Sequence, residues 1–180
     1  MNSEAVTGPA TRKEPSGTER QVRILRRDQG DTVRVLGDHY TTKGRAADTE
    51  GRYSFFEASN NPGGGVPLHY HTHDEESFYV VEGTYEFRAG DATVVARPGD
   101  YLFVPRPTPH AFFNIGATVG RVIIILSPGG IHERFFGEIG EPVEDLRDLP
   151  PPTPPDLEKF ATALERAGIV MLEEPASPGP

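Results

Sequence analysis

Residues 69–76 read His69-Tyr70-His71-Thr72-His73-Asp74-Glu75-Glu76, three histidines and a run of acids within one short stretch. On an extended strand a spacing of two puts side chains on one face, about 6.6 Å apart along the chain. His69 and His71 therefore share a face and can converge on one ion. Glu76 stands at an odd offset, so the alternation must break after His73 for this carboxylate to look the same way, and Asp74-Glu75 is a natural place for a bulge or turn. Another group of metal-binding type, His110, opens a later β-prone run. Taken singly, each residue has an ordinary explanation: a lone buried histidine is usually a hydrogen-bonded core residue, and an exposed His-Asp-Glu cluster is usually a solvated loop. The set reads differently because of its surroundings, Phe55, Phe56, Phe78, Tyr79, Phe103, Phe112 and Phe113. An apolar barrel that encloses His69, His71, Glu76 and His110 needs a compensating partner for them, and a divalent cation supplies it.

Outward from this stretch, β-prone runs at 21–27, 32–36, 53–58, 77–81, 84–88, 92–96, 101–105, 110–115 and 121–127 alternate with turns. These turns include Gln29-Gly30-Asp31, Gly63-Gly64-Gly65, Ala89-Gly90-Asp91 and Pro98-Gly99-Asp100. Many short strands with Gly and Pro punctuation predict an all-β sandwich or barrel. The pattern changes after Ser127. Residues 131–140 are expected to form a short helix with Phe135-Phe136 laid against a sheet. Pro150-Pro151-Pro152-Thr153-Pro154-Pro155 extends as polyproline II. Leu157, Phe160, Ala161 and Leu164 then predict a helix over 156–167, with Pro155 at its first position and Gly168 as its stop. The expected organisation is a disordered arm (1–20), a barrel (21–128), a helical appendage with a Pro-rich linker (129–172) and a disordered tail (173–180).

The 180-residue chain carries Lys+Arg 18 against Asp+Glu 27, a formal charge of −9. Such an acidic chain is a poor partner for phosphate backbones, so no nucleic-acid partner is expected. The absence of cysteine excludes disulfides, thiolate metal sites and cysteine nucleophiles together. The first residues hold no apolar stretch of signal-peptide length. The longest aliphatic run, Val122-Ile123-Ile124-Ile125-Leu126, cannot cross a bilayer of roughly 30 Å. A cytoplasmic protein without membrane contact is expected. Gly63-Gly64-Gly65 does not open a helix and is not read as a phosphate cradle.

Two longer patterns carry a family resemblance. Gly63, His69, His71, Glu76 and Gly83 fit G-x5-H-x-H-x4-E-x6-G without a mismatch. Gly99, Pro105, His110 and Asn114 fit G-x5-P-x-G-x2-H-x3-N, with Pro107 where the pattern has glycine. These resemble the two cupin motifs, over about residues 45–128. The resemblance implies a double-stranded β-helix, a small jelly-roll barrel, here with short C-terminal helices. It also implies one divalent metal ion per chain (Fe, Mn, Ni, Co or Zn) held by His69, His71, Glu76 and His110. Pro105, Pro107 and Pro109 describe a stiffer turn than glycine gives, so His110 is expected to be held rigidly.

Tyr53-Ser54-Phe55-Phe56-Glu57, Pro67-Leu68-His69, Phe78-Tyr79-Val80-Val81-Glu82-Gly83 and the run from Pro128 to Phe136 are further similar to single-domain quercetin dioxygenase-like cupins. That similarity implies an aromatic, flavonol-like or otherwise enolisable small-molecule substrate and dioxygen as partners. Glu76 would be the catalytic residue that accepts the substrate hydroxyl proton. Tyr53, Phe55, Phe78, Phe103 and Phe112 are the expected walls of an aromatic slot. Asn114 and His73 are expected just outside the ligands, His73 because it falls about 13 Å along an extended strand from His69. Two other functions stay open: a redox-inert cyclase or isomerase of polyketide or sugar metabolism using Zn(II), and a non-enzymatic small-molecule-binding module. By resemblance a homodimer is expected, with 21–27 near its interface.

Overall fold

A computed structural model of the chain describes residues 22–143 and 154–173. The expected arm 1–20, most of the Pro-rich linker and the tail beyond 173 lie outside the described residues.

Two antiparallel sheets face each other. The first holds β1 (Asp31–Val35), β2 (Asp38–Gly44), β3 (Ser54–Asn60), β5 (Glu75–Glu82), β8 (Tyr101–Val104), β10 (Gly120–Ser127) and the short β11 (Glu141–Pro142). The second holds β4 (Gly65–His71), β6 (Tyr85–Ala89), β7 (Ala92–Ala96), β9 (His110–Asn114) and β12 (Ile169–Met171). Their orders are β11-β1-β2-β3-β10-β5-β8 and β12-β4-β9-β6-β7. This is the expected jelly roll. Three helices, α1 (Ala46–Thr49), α2 (Ile131–Ile139) and α3 (Leu157–Ala167), complete the described elements. No helix among the described residues is long and apolar enough to cross a membrane.

Alternation explains which face closes on the core. On β10, Val122, Ile124 and Leu126 are buried while Arg121, Ile123 and Ile125 face outward. Ile124 is in register with Phe56 of β3 on one side and Phe78 of β5 on the other. The opposite sheet answers with Phe87 and Phe112, whose ring centroids lie 5.0 and 5.1 Å from that of Phe78. Such tilted aromatic pairs add to plain area burial. Gly83 makes the turn after β5 possible. Its φ is +93°, and a Cβ there would lie 2.8 Å from Gly120 Cα.

The C-terminal helices cap this sandwich. Phe135, Ala163, Ala167 and Ile169 form a second small core with Phe136, Phe160 and Leu164 around it. β12 then adds to the edge of β4, pairing Ile169 with His71 and Met171 with His69, which straps α3 across one end of the barrel. Asp156, not Pro155, stands at the start of α3: its Oδ1 accepts the Lys159 N–H at 3.0 Å, and Leu157 is the first helical residue. A capping oxygen satisfies an otherwise orphaned donor, which proline at that position would not do. Gly168 ends the helix as expected, with φ +68°.

The expected strand 21–27 is not formed. Its described part, 22–27, is irregular, with Lys43 Nζ donating to the Arg26 and Gln29 carbonyls. Val22 and Ile24 project 91% and 71% exposed, and no strand among the described residues pairs with this segment. Four strands fall outside the expected β-prone runs: β2, β4 and the short β11 and β12. β2 has Tyr40 as its one large apolar residue, and β4 contains Pro67. The proline is accommodated where the β4–β9 register shifts between Val66 and His69.

Candidate metal centre

His69 and His71 point inward from β4 at the spacing of two that the sequence predicts. His110, the first residue of β9, stands in register opposite His69, with ring centroids 4.2 Å apart. Glu76 arrives from the other sheet. The chain bends at Thr72 and His73 and resumes as β5 at Glu75, so the alternation is reset and the carboxylate faces the histidines. One ligand atom from each of the four lies within 4.8 Å of the others, and all four residues are buried. The turn before His110 carries the three prolines, and the Thr108 N–H donates to the Pro105 carbonyl at 3.0 Å.

The ring nitrogens are oriented from outside. His69 Nδ1 donates to the Pro67 carbonyl at 2.8 Å, and His110 Nδ1 to the Thr108 carbonyl at 2.9 Å. A carbonyl only accepts, so in each ring Nδ1 carries the proton and Nε2 is turned into the site. His71 Nδ1 lies 3.7 Å from Asp74 Oδ2, and its Nε2 lies 3.8 Å from Glu76 Oε2.

Burial holds His69 neutral, down to about 3, helped by the neighbouring His110. Burial likewise takes His71 to about 4. For Glu76 burial pushes upward, but the His110 hydrogen bond and the surrounding histidines outweigh it and bring the carboxyl to about 2. For His110 burial pushes downward, but the bond to Glu76 and its charge win, and the imidazole sits above its ordinary value. Without a cation the centre is therefore a Glu76 carboxylate paired at 2.9 Å with the His110 Nε2–H, beside two neutral imidazoles. Once His110 gives up that proton, the donor set is three imidazole nitrogens and one carboxylate oxygen. This chemistry fits Fe(II), Mn(II), Co(II), Ni(II) or Zn(II).

A cavity of about 130 Å³ opens beside His69, His71 and Glu76. Of the five expected aromatic walls it takes only Phe112. Phe78 is packed in the core, its ring centroid 6.3 Å from that of His110. Tyr53 and Phe55 border a different, open groove of about 820 Å³ together with Arg23, Arg26 and Lys43. Phe103 is half exposed on the outside of β8. The reason is alternation: Ser54 and Phe56 point inward on β3, and Val104 on β8, so their neighbours must point out. The actual walls are Tyr40, Ile124 and Leu126 together with Phe135, Phe136 and Phe160 of the C-terminal helices.

His73 is exposed on the outer side of the bend and is not part of the cage; Arg106 Nη1 donates to its carbonyl at 2.7 Å. Asn114 also lies away from the ligands. At the far end of β9 its Nδ2 donates to the Asn60 and Thr118 carbonyls at 2.9 and 2.8 Å, which ties the barrel end to the following turn.

Two residues outside the expected site set join the site. Asp74 and His132 are both buried, with His132 Nδ1 2.9 Å from Asp74 Oδ2. With His71 they form a second group whose ligand atoms lie within 4.8 Å of one another. A helical signal was present: His132, Phe135, Phe136 and Ile139 share one face at i, i+3, i+4 and i+7.

A family model described as a cupin domain matches residues 57–126. Quercetin 2,3-dioxygenase of Bacillus subtilis (strain 168) is 26% identical over 121 residues, 67% of this chain and 35% of that protein. The chain thus spans little more than a third of that relative's length. Protein SchB of Streptomyces halstedii is 32% identical over 118 residues, 62% of this chain and 81% of SchB. Among solved structures, the polyketide cyclase RemF from Streptomyces resistomycificus is alike at a TM-score of 0.53 with 23% identity, covering 59% of this chain and 80% of RemF. That likeness is one of fold.

Proposed function

We propose that this chain, which belongs to the cupin superfamily, is a metal-dependent dioxygenase acting on a small enolisable aromatic compound. The observation that carries the reading is the convergence of His69, His71, His110 and Glu76 on one buried point beside an apolar cavity. These four would hold one divalent ion, which when bound supplies a Lewis-acid centre able to take a substrate oxygen and dioxygen. The chain's own residues do the rest. The Pro67 and Thr108 carbonyls fix the His69 and His110 rings. Glu76, ionised at neutral pH, accepts the hydroxyl proton of an enol or phenol at its carboxylate. The phenylalanines of α2 and α3 keep water out, which strengthens every charge interaction inside. An apolar cavity of about 150 Å³ admits benzene, so the space beside the cage suits one ring while the helices stand as they do. A three-ring flavonol needs α2 and α3 to yield.

The test is an oxygen electrode. Protein purified without chelators is loaded separately with each of the five ions and offered monocyclic and polycyclic enols and phenols, flavonols included. Oxygen uptake matched to substrate loss is expected with a redox-active ion. Conversion without oxygen, best with Zn(II), would replace the dioxygenase by a cyclase or isomerase; RemF carries its cyclase activity on the same fold. Failure to retain any of the ions would sink the metalloenzyme reading altogether.

A homodimer is part of the proposal. Tyr79, Tyr101 and Phe103 are 47%, 62% and 51% exposed on the outer face of the first sheet, and Val22 and Ile24 have no partner within the described chain. Contiguous exposed apolar surface of this kind favours association. Light scattering at micromolar concentration should give twice the chain mass, and a single-chain mass would overturn it.

A further inference from the structure

Asp74 occupies the corner where the chain crosses from β4 to β5, and its side chain is fully enclosed. Among the described residues no backbone or hydroxyl donor reaches either carboxylate oxygen. Two imidazoles face it instead, His132 Nδ1 at 2.9 Å and His71 Nδ1 at 3.7 Å from Oδ2. Both Nδ1 atoms are themselves buried, and among the described residues neither approach has hydrogen-bond geometry, so Asp74 and the two rings meet as close polar neighbours. A carboxylate taken out of water needs compensation, and these two N–H groups are what the corner offers. A proton on Nδ1 of each ring leaves Nε2 as a bare acceptor in both. In His71 that atom faces Glu76 and the cage. His132 lines the cavity beside Phe135 and Phe136, whose ring centroids lie 6.0 and 5.8 Å away. It places a fixed acceptor in an otherwise largely apolar wall, one ring away from the cage: the His71 and His132 centroids are 4.8 Å apart.

We propose that His132, positioned by Asp74, selects the substrate by accepting a hydrogen bond from a second hydroxyl of a single-ring compound whose first oxygen enters the cage. This rests on the reading of the cage as a metal site for a ring oxygen. Because His132 stands outside the four-residue cage, one ring beyond His71, the second hydroxyl cannot share the ion with the first, which rules out neighbouring hydroxyls and leaves ring carbons 1 and 3 as the nearest pair. The ligand class is a 1,3-dihydroxylated ring or the matching cyclic enol. A buried acceptor facing a ring that lacks the second hydroxyl is left unpaired, which disfavours that ring by about 10- to 100-fold.

The experiment uses the zinc-loaded protein, so that binding is read without oxidation, with resorcinol and phenol as probes in titration calorimetry. Wild type should bind resorcinol about 10- to 100-fold more tightly than phenol. His132→Leu should bring the two within about threefold of each other by weakening resorcinol alone, with zinc content unchanged. His132→Gln, which keeps an acceptor, should retain most of the preference. Equal affinity for the two probes in wild type, or a preference that survives in His132→Leu, overturns the proposal while leaving the cage intact. Loss of zinc in His132→Leu overturns it differently, by making His132 a ligand. A wild type that retains no zinc removes the cage reading and this proposal together, and zinc content tells that failure from the others.

Discussion

Glu76→Gln is expected to lose turnover by at least about 10²–10⁴-fold and to hold its metal weakly as well. The substitution keeps the side-chain size and removes the one anionic oxygen donor among the four cage residues. It also takes away the carboxylate to which His110 Nε2 donates at 2.9 Å. Metal affinity and proton acceptance should therefore fail together, whereas a purely structural carboxylate would let both survive. His110→Ala should chiefly cost metal. It also strands Glu76 as a buried charge without its nearest partner, an effect of about 3–5 kcal/mol when such a pair is broken one-sidedly. His110→Gln is the companion variant that keeps a polar partner for Glu76. His73→Ala should leave metal content and turnover near wild type, since His73 is exposed outside the bend. Elemental analysis and turnover, measured side by side, decide the matter. If His73→Ala strips the metal while Glu76→Gln binds it normally, the ligand assignment is wrong.

The contrast between His73 and Glu76 shows what the sequence could carry. A period of two is local, so His69 and His71 were legible as partners on one face, and the need for a break before Glu76 followed from parity alone. The helix α3 was legible for the same reason, through Phe160 and Leu164, but Leu157 and Ala161, read on the same face, are exposed, and Ala163 and Ala167 take the buried positions. The walls of the cavity beside the cage were not legible. β3 reads Ser54-Phe55-Phe56-Glu57-Ala58 and β8 reads Tyr101-Leu102-Phe103-Val104, with apolar residues on both faces. Alternation says that Phe55 and Phe56 point opposite ways, but only the packing of the second sheet decides which is inside. Part of that wall comes from α2 and α3, and α3 is held there by the pairing of β12 with β4, a contact between residues about a hundred positions apart. Asp74 illustrates a third limit. An Asp in a His-Asp-Glu run looks like a solvated turn until a histidine from α2 is docked against it. The segment 22–27 has the composition of a strand, yet no strand among the described residues pairs with it, so propensity alone misreads it.

Binding of a divalent cation should release the proton that His110 Nε2 donates to Glu76, and the affinity should fall as pH drops below the titration of His110. In the cation-free chain His110 is held above its ordinary 6.5: burial opposes this, but the Glu76 hydrogen bond and charge prevail. Its Nε2 proton must leave before that nitrogen can bind a metal. His69 and His71 do not compete, because burial keeps them neutral down to about 3 and about 4, and Glu76 stays ionised to about 2.

The same shifts set the stability of the cation-free fold. For His69 and His71 the folded values lie below 6.5, so as pH falls from 6.5 towards 4 the unfolded chain takes up protons that the folded chain refuses, and stability drops. Each such group contributes about 1.4 kcal/mol per pH unit, so the two together give nearly twice that slope. His110 works in the other direction. Its contribution is complete below 6.5 and fades as pH rises through its raised folded value, so it adds no slope in the acid window. Glu76 stabilises above its ordinary 4.5 and loses that contribution between 4.5 and about 2. Urea midpoints of the chelator-treated protein should thus decline steeply from pH 6.5 to 4.5. Calorimetric metal titrations in two buffers of different ionisation enthalpy should report that proton release. A flat midpoint across the acid window would mean that the histidines are not the buried neutral groups described, and metal binding without proton release would mean that His110 is not paired with Glu76 beforehand.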